Sequence, residues 1–187
     1  MTGTSSEQPS AAARFVPRSQ VLTADEVSRS LRRMCHEILE HHAGDALVVI
    51  GLQTGGIAFA AAIAAQLTEL GAPAVSAGTL DVAYWRDDVH VRPLVDATST
   101  AIPGDLTDQV VVLVDDVLFT GRTIRAALNA LSEWGRPRVI ELAVMVDRGH
   151  RELPIRPDYV GKNLPTAPSE SVLATTEGVW IGMEGAS

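Results

Sequence analysis

The stretch from Val110 to Leu128 leaves this chain few ways to fold. It opens with Val110 to Val114, five apolar residues of which four are β-branched. Such a run reads as a strand buried on both faces, as in a parallel sheet. Asp115 and Asp116 follow at once, then Val117, Leu118 and Phe119, then the turn Thr120-Gly121-Arg122-Thr123. Beyond it Ile124, Leu128 and Leu131 recur at helical spacing, with Ala126, Ala127 and Ala130 beside them. The order is strand, acidic pair, small-residue loop, helix.

Each part has a chemical use. A helix N-terminus presents unpaired N–H groups and a partial positive charge, so a loop there holds phosphate. Gly121 lets the backbone approach closely, and Thr120 and Thr123 add hydroxyl donors. Phosphate alone gives no reason for two carboxylates, which would repel it. Asp115 and Asp116 instead suit a pair of vicinal hydroxyls, as on a ribose. The residues therefore point to a ribose 5-phosphate. No Gly-Lys-Ser/Thr follows, so this is not a Walker loop, and the dinucleotide fingerprint Gly-x-Gly-x-x-Gly is absent. The stretch resembles the phosphoribosyl-pyrophosphate (PRPP) motif of type I phosphoribosyltransferases.

With 187 residues the chain forms one domain with room for a full core. Residues 1–17 read as a disordered tail and 18–187 as the phosphoribosyltransferase domain. A single cysteine, Cys35, excludes an internal disulfide. There is no signal peptide or long apolar run, so a cytoplasmic protein with no membrane partner is expected. The net charge of −8 argues against general nucleic-acid affinity. Lys162 is the only lysine, and the remaining positive charge is arginine, which suits phosphate and base contacts.

Taken in order, Thr23 to Glu26 forms a capping box opening a helix to about His42. Val27, Leu31, Met34, Cys35 and Ile38 make its apolar stripe; Arg29, Arg32, Arg33 and His36 lie largely opposite. His41 and His42 near its C-terminus ask for no further role. Ala46 to Ile50 is a second buried strand, followed by Thr54-Gly55-Gly56 and an alanine-rich helix from Ile57 to Leu70. This is a second anion site in outline, for the pyrophosphate end. Val75 to Val82 reads as a strand. Tyr84 to Asp88 leads into the irregular stretch Val89 to Gly104, expected to be a lid from which Arg86 reaches a phosphate. The central helix runs to Trp134, Val139 to Val146 is the next strand, and segments around 172–174 and 179–183 form a closing pair. The fold expected is α/β: an open, mostly parallel sheet flanked by helices, with a flexible lid and a small hood, and ligands beyond the carboxyl ends of the strands.

Arg86-Asp87-Asp88, Asp115 to Thr123, Val146 to Arg156 and Gly161-Lys162-Asn163 together resemble the bacterial pyrimidine-operon attenuation regulators with uracil phosphoribosyltransferase activity. The likeness covers residues 20–174, and its most specific part is Arg148-Gly-His-Arg-Glu-Leu-Pro-Ile-Arg156. It implies conversion of uracil and PRPP to UMP and pyrophosphate with Mg²⁺, carried mainly by substrate oxygens with no direct protein ligand and lying near Asp115 and Asp116. Asp115, Asp116 and Arg86 would be catalytic. Val117 to Thr123 would bind the sugar phosphate, Thr54, Gly55 and Gly56 the pyrophosphate, and Arg148 would lie by the base. The likeness also implies binding of pyrimidine-operon leader mRNA under UMP or UTP, through Arg32, Arg33, His36, His150, Arg151, Arg156 and Lys162. The two groups would meet in one basic surface. A homodimer or larger homo-oligomer is implied as well. The family's pyrophosphate loop has Thr-Arg-Gly where this chain has Thr54-Gly55-Gly56. A lost guanidinium donor predicts slower turnover, by about 10²–10³ for one such group. In one alternative the chain senses UMP or UTP and binds RNA with little catalysis. In another it is a phosphoribosyltransferase for a different base, without RNA binding.

Overall fold

The computed structural model describes residues 15–82 and 100–185. Of the expected lid at 89–104, residues 89–99 lie outside them, as does Arg86, while Ala101 is bonded to Thr79 of the third strand at 2.9 Å. Strand β1 spans Phe15–Thr23, helix α1 Ala24–His41, β2 Ala46–Leu52, α2 Gly56–Glu69 and β3 Ala74–Leu80. Strand β4 spans Val110–Leu118 and α3 Arg122–Leu131, with a 3₁₀ turn at Ser132–Trp134. Strands β5, β6, β7 and β8 span Val139–Asp147, Tyr159–Asn163, Ser171–Thr175 and Gly178–Glu184.

The main sheet has the order β3-β2-β4-β5-β6, with every pairing parallel. Strand β4 is central, which is why Val110 to Val114 are all buried. Helices α1 and α2 cover one face, where Leu31, Ile38, Phe59, Ile63 and Leu67 pack on Val112 and Val114. Helix α3 covers the other, with Ile124, Ala127 and Leu131 on Val111 and Leu113. The chain turns outward through α2 to β3 and the opposite way through α3 to β5. The order therefore reverses between β2 and β4, and a crevice opens beyond their carboxyl ends.

A second sheet, β1-β8-β7, is antiparallel and forms the hood. The sequence shows its β7–β8 pair but not β1. Phe15, Val16 and Pro17 are paired with Glu184, Met183 and Gly182, so the tail boundary at residue 17 falls inside a strand. Polar Arg18, Ser19 and Gln20 hide this strand from an apolar pattern. Strand β6 was likewise missed, because Gly161, Lys162 and Asn163 are poor strand formers. Its pairing to β5 and the fully buried Tyr159 hold it in place. Among the described residues no helix is long and apolar enough to cross a membrane.

Candidate functional site

Three loops meet at the crevice between β2 and β4. The first carries the acidic pair. Asp115 is buried at 7% exposure, and its Oδ1 accepts the Asp116 N–H at 3.0 Å. Asp116 Oδ1 accepts the Val117 N–H at 2.8 Å. Each carboxylate is thus oriented by the backbone that follows it, ready for hydroxyls or for hydrated cations.

The second loop, Phe119 to Thr123, runs into α3. Gly121 sits at φ 91°, a left-handed position that disfavours other residues. Gly121 gives helix α3 no side-chain cap of its own, the Arg122 N–H reaches Thr120 Oγ1 at 3.4 Å, and no acidic residue lies in the first turn, so the positive end suits an anion.

The third loop, Thr54 to Gly56, opens α2. A Cβ on Gly56 would overlap the Val114 carbonyl oxygen, and one on Gly55 would overlap the Asp116 carboxylate. Both glycines allow α2 to start directly against the end of β4. The Thr54–Gly56 loop therefore touches the acidic pair, from which the chain runs on into the Phe119–Thr123 loop.

The segment after β5 folds over the Phe119–Thr123 loop. Glu152 and Leu153 donate backbone N–H groups to the Thr120 carbonyl at 3.0 and 3.3 Å. Arg122 pairs with Glu152 at 2.6 Å, and Leu153 and Ile155 pack beside Gly121. Arg151 binds Asp147 at 2.6 Å, the Phe119 carbonyl at 2.8 Å and the Ile155 carbonyl at 3.0 Å. Arg148, 7% exposed, donates to Thr166 Oγ1 at 3.1 Å and to the Ala167 and Glu170 carbonyls. Its guanidinium stacks 4.2 Å from the centre of the Phe119 ring. Burial lowers the Arg148 pKa, against the opposing pull of Glu170 and Glu184. Two of its nitrogens are thus spent bracing the pocket wall. His150 bonds the Thr166 carbonyl at 2.6 Å and meets the Phe119 ring edge-on. Sequence reasoning missed Glu152, Ile155 and Thr166 as supports of the loop; nothing in their spacing announces contacts made across the fold.

The basic residues divide by face. Arg32 and His36 on α1 are exposed, while Arg33 bonds the Val160 and Gly161 carbonyls at 2.7 and 3.0 Å and pairs with Glu37. This seats α1 beside β6, which carries exposed Lys162. The segment holding His150, Arg151 and exposed Arg156 runs over the opposite face, where Ile155 joins the α3 side of the core. The two basic groups thus approach the edge strand β6 from its two sides.

Among the described residues no cluster of three or more His, Cys, Asp or Glu side chains is placed to hold a metal ion. Two adjacent carboxylates beside two phosphate loops nevertheless suit a hard divalent cation that brings most of its oxygen ligands with the substrate.

A parallel sheet with an acidic pair and two glycine loops opening helices at its switch point is the framework of a phosphoribosyltransferase. The chain belongs to that family: the phosphoribosyl transferase domain model matches residues 17–173. It is 53% identical over 170 residues to the "Bifunctional protein PyrR" of Deinococcus deserti, covering 87% of this chain and 92% of the relative. The protein of the same name from Leifsonia xyli is 52% identical over 158 residues, covering 81% and 86%. Among solved structures, the hypoxanthine phosphoribosyltransferase of Trypanosoma cruzi superposes with a TM-score of 0.70 at 18% identity, covering 90% of this chain and 98% of that one. That of Staphylococcus aureus gives 0.67 at 17%, covering 90% and 91%. At such identities these two speak for the fold alone.

Proposed function

We infer that this chain transfers the ribose 5-phosphate of PRPP to uracil, giving UMP and pyrophosphate, and controls pyrimidine genes by binding leader mRNA when UMP or UTP fills the same pocket. The observation that carries this reading is the Arg148–Arg156 segment lying on the Phe119–Thr123 loop. One contact unites the residues expected at RNA with those expected at the nucleotide phosphate.

In the transfer, the C1–O bond of PRPP breaks as positive charge builds on the ribose and negative charge on the leaving pyrophosphate. The protein's part is placement and electrostatics. Asp115 and Asp116 hold the ribose hydroxyls and favour the positive ring. Thr120 to Thr123, with the N-terminus of α3, hold the 5-phosphate. Thr54, Gly55 and Gly56 hold the pyrophosphate, and Arg86 belongs to the same reading. Asp115 and Asp116 would face Mg²⁺ bound with PRPP, which would neutralise charge on the leaving pyrophosphate.

For RNA, Arg32 and His36 on α1, Lys162 on β6 and Arg156 on the distal segment supply exposed contacts. Arg33, His150 and Arg151 shape that edge through bonds to the protein's own carbonyls. A cytoplasmic homo-oligomer completes the reading. The test pairs a uracil/PRPP turnover assay with gel-shift binding to pyrimidine-leader RNA, with and without UMP. Both activities are expected. Turnover without RNA binding at low salt would reduce the protein to an enzyme, and RNA binding without turnover to a sensor.

A further inference from the structure

Gly55 and Asp116 belong to different loops, yet one decides where the other sits. The backbone at Gly55 is ordinary, φ −74° and ψ −31°, a conformation any residue adopts. Glycine is therefore not demanded by the chain path. What a side chain there would meet is a neighbouring carboxylate: the three atoms nearest to a Cβ built there are Oδ2, Cγ and Oδ1 of Asp116. The Asp116 carboxylate occupies the volume that a side chain at position 55 would begin in. It is fixed there by the Val117 N–H at 2.8 Å. A side chain at 55 would have to push the carboxylate out and break that orientation.

The consequence is chemical. A carboxylate seated in a pyrophosphate loop repels the very group the loop is built to hold. The two anions coexist when a cation lies between them. A hard divalent ion, sharing carboxylate, pyrophosphate and water oxygens, suits that position. Resting on the PRPP reading above, we propose that Gly55 and Asp116 act as one positioning unit. The absent side chain seats Asp116 in the pyrophosphate loop, and this deepens the dependence of the loop on a divalent cation. Arginine at position 55 then does not simply restore a missing charge. It displaces a carboxylate that has taken its place.

Calorimetric binding of inorganic pyrophosphate and of PRPP to the full chain, with Mg²⁺ present or chelated, tests this. The variants are Gly55→Ala, Asp116→Asn and their combination, with melting curves to show that each is folded. Wild type is expected to bind pyrophosphate with Mg²⁺ and to lose at least about tenfold without it. Asp116→Asn should bind Mg²⁺-free pyrophosphate about tenfold more tightly than wild type does. Gly55→Ala should weaken Mg²⁺-dependent binding about tenfold in the wild-type background and less than about twofold in the Asp116→Asn background, the non-additivity expected of residues in contact. Equal losses from Gly55→Ala in both backgrounds would overturn the proposal. So would an unchanged Mg²⁺ requirement in Asp116→Asn, which does not depend on the glycine variant folding. Uracil turnover is a separate readout. A chain that binds pyrophosphate as described but consumes no uracil loses the proposed activity and keeps this coupling. A chain that turns over uracil with Mg²⁺-independent pyrophosphate binding does the reverse.

Discussion

Glu152 and Arg122 are paired across the seam between the distal segment and the first turn of α3, with Glu152 Oε2 accepting from Arg122 Nε at 2.7 Å and Nη2 at 2.6 Å. Both side chains are well exposed, so the pair adds little to stability, about 0.5 kcal/mol or less. Its weight lies in what it connects. A phosphate arriving at the α3 N-terminus draws on the same arginine, and any shift of Arg122 is felt at Glu152. Glu152→Gln is therefore expected to melt within about 2 °C of wild type and to keep RNA binding without nucleotide. The tightening of RNA binding by UMP should shrink by roughly fivefold or more, within the usual range of coupling between sites. Gel-shift titrations with and without saturating UMP measure this; an undiminished UMP effect would remove the pair from the coupling.

Arg151 and Arg156 stand five positions apart and should behave differently. Arg151 joins Asp147 to the carbonyls of Phe119, Leu118, Gly149 and Ile155. Arg151→Ala takes a donor from Asp147 Oδ2 and from the Phe119 and Ile155 carbonyls, while Asp147 Oδ1 keeps the Gly149 N–H, a loss of about 2–4 kcal/mol. The Phe119–Thr123 loop loses its anchor, so KM for PRPP should rise. Arg156 is exposed. Arg156→Ala should leave turnover and melting unchanged, weaken RNA binding, and reduce the salt slope of that binding by about one. Equal effects of the two variants on turnover would show that Arg151 does not anchor the loop.

The main sheet was legible because its centre speaks locally. Val110 to Val114 announce a doubly buried strand, and the glycine after each of β2 and β4 announces a loop at a strand end. The crevice follows from those two facts and the strand order. What stayed hidden depends on contacts between distant residues. Strand β1 is polar in sequence and exists through its pairing with β8. His42 reads as an ordinary helix-end histidine, yet it is buried against Glu141 at 2.7 Å. Arg148 and Arg151 look like ligand-facing cations, while the structure commits much of each to the chain's own oxygens. The loss of arginine at position 55 is visible in the sequence; the carboxylate that takes its room is visible in three dimensions.

Gly56 offers a sharper test of how α2 is seated than any side chain. A Cβ there would overlap the Val114 carbonyl oxygen and stand 3.0 Å from the Asp115 Cα. These are backbone atoms of the central strand and have no room to yield. Gly56→Ala is expected to destabilise by about 1–3 kcal/mol, as overpacked sites do. It should also push Thr54 and Gly55 away from the acidic pair, lowering kcat more than stability alone explains. Gly71→Ala serves as the comparison, since its Cβ would meet nothing within 4 Å. That variant should lose stability through its positive φ of 90° and leave kcat untouched.

Cys35 is fully buried in the α1 stripe, its Sγ 3.8 Å from the Ile63 carbonyl. Burial pushes its thiol from an ordinary 9.0 up to about 12. The folded value lies above the unfolded one, so the folded state holds the proton more tightly. This contribution is complete below pH 9 and is lost as the pH climbs toward 12. At pH 8 the native protein should resist a thiol-specific reagent for hours and react at once in denaturant. Cys35→Ala should flatten the fall in stability measured between about pH 9 and 11, and a wild-type profile already flat there would refute the assignment.

The far end of the sheet carries a polar network that the crevice does not use. The Tyr159 hydroxyl donates to Glu141 Oε2 at 2.6 Å and lies 2.9 Å from His41 Nδ1, while His42 Nε2 meets the same Glu141 oxygen. Burial, then the Glu141 carboxylate, raises the phenol pKa, so Tyr159 stays protonated as a donor at any working pH. This network closes the α1–β2 turn against β5 and β6 at the amino ends of the strands. Tyr159→Phe removes one hydroxyl and leaves Glu141 its bond to His42, so the cost should be about 1–2 kcal/mol. Glu141→Leu leaves both Tyr159 and His42 without that acceptor and should cost more, about 2–4 kcal/mol. Neither change touches the crevice, and KM for PRPP should stay within about twofold of wild type in both. Denaturant melts and PRPP kinetics on the same samples decide the matter, and a larger shift in KM than in stability would place this network in the site's mechanics rather than in the fold's foundation.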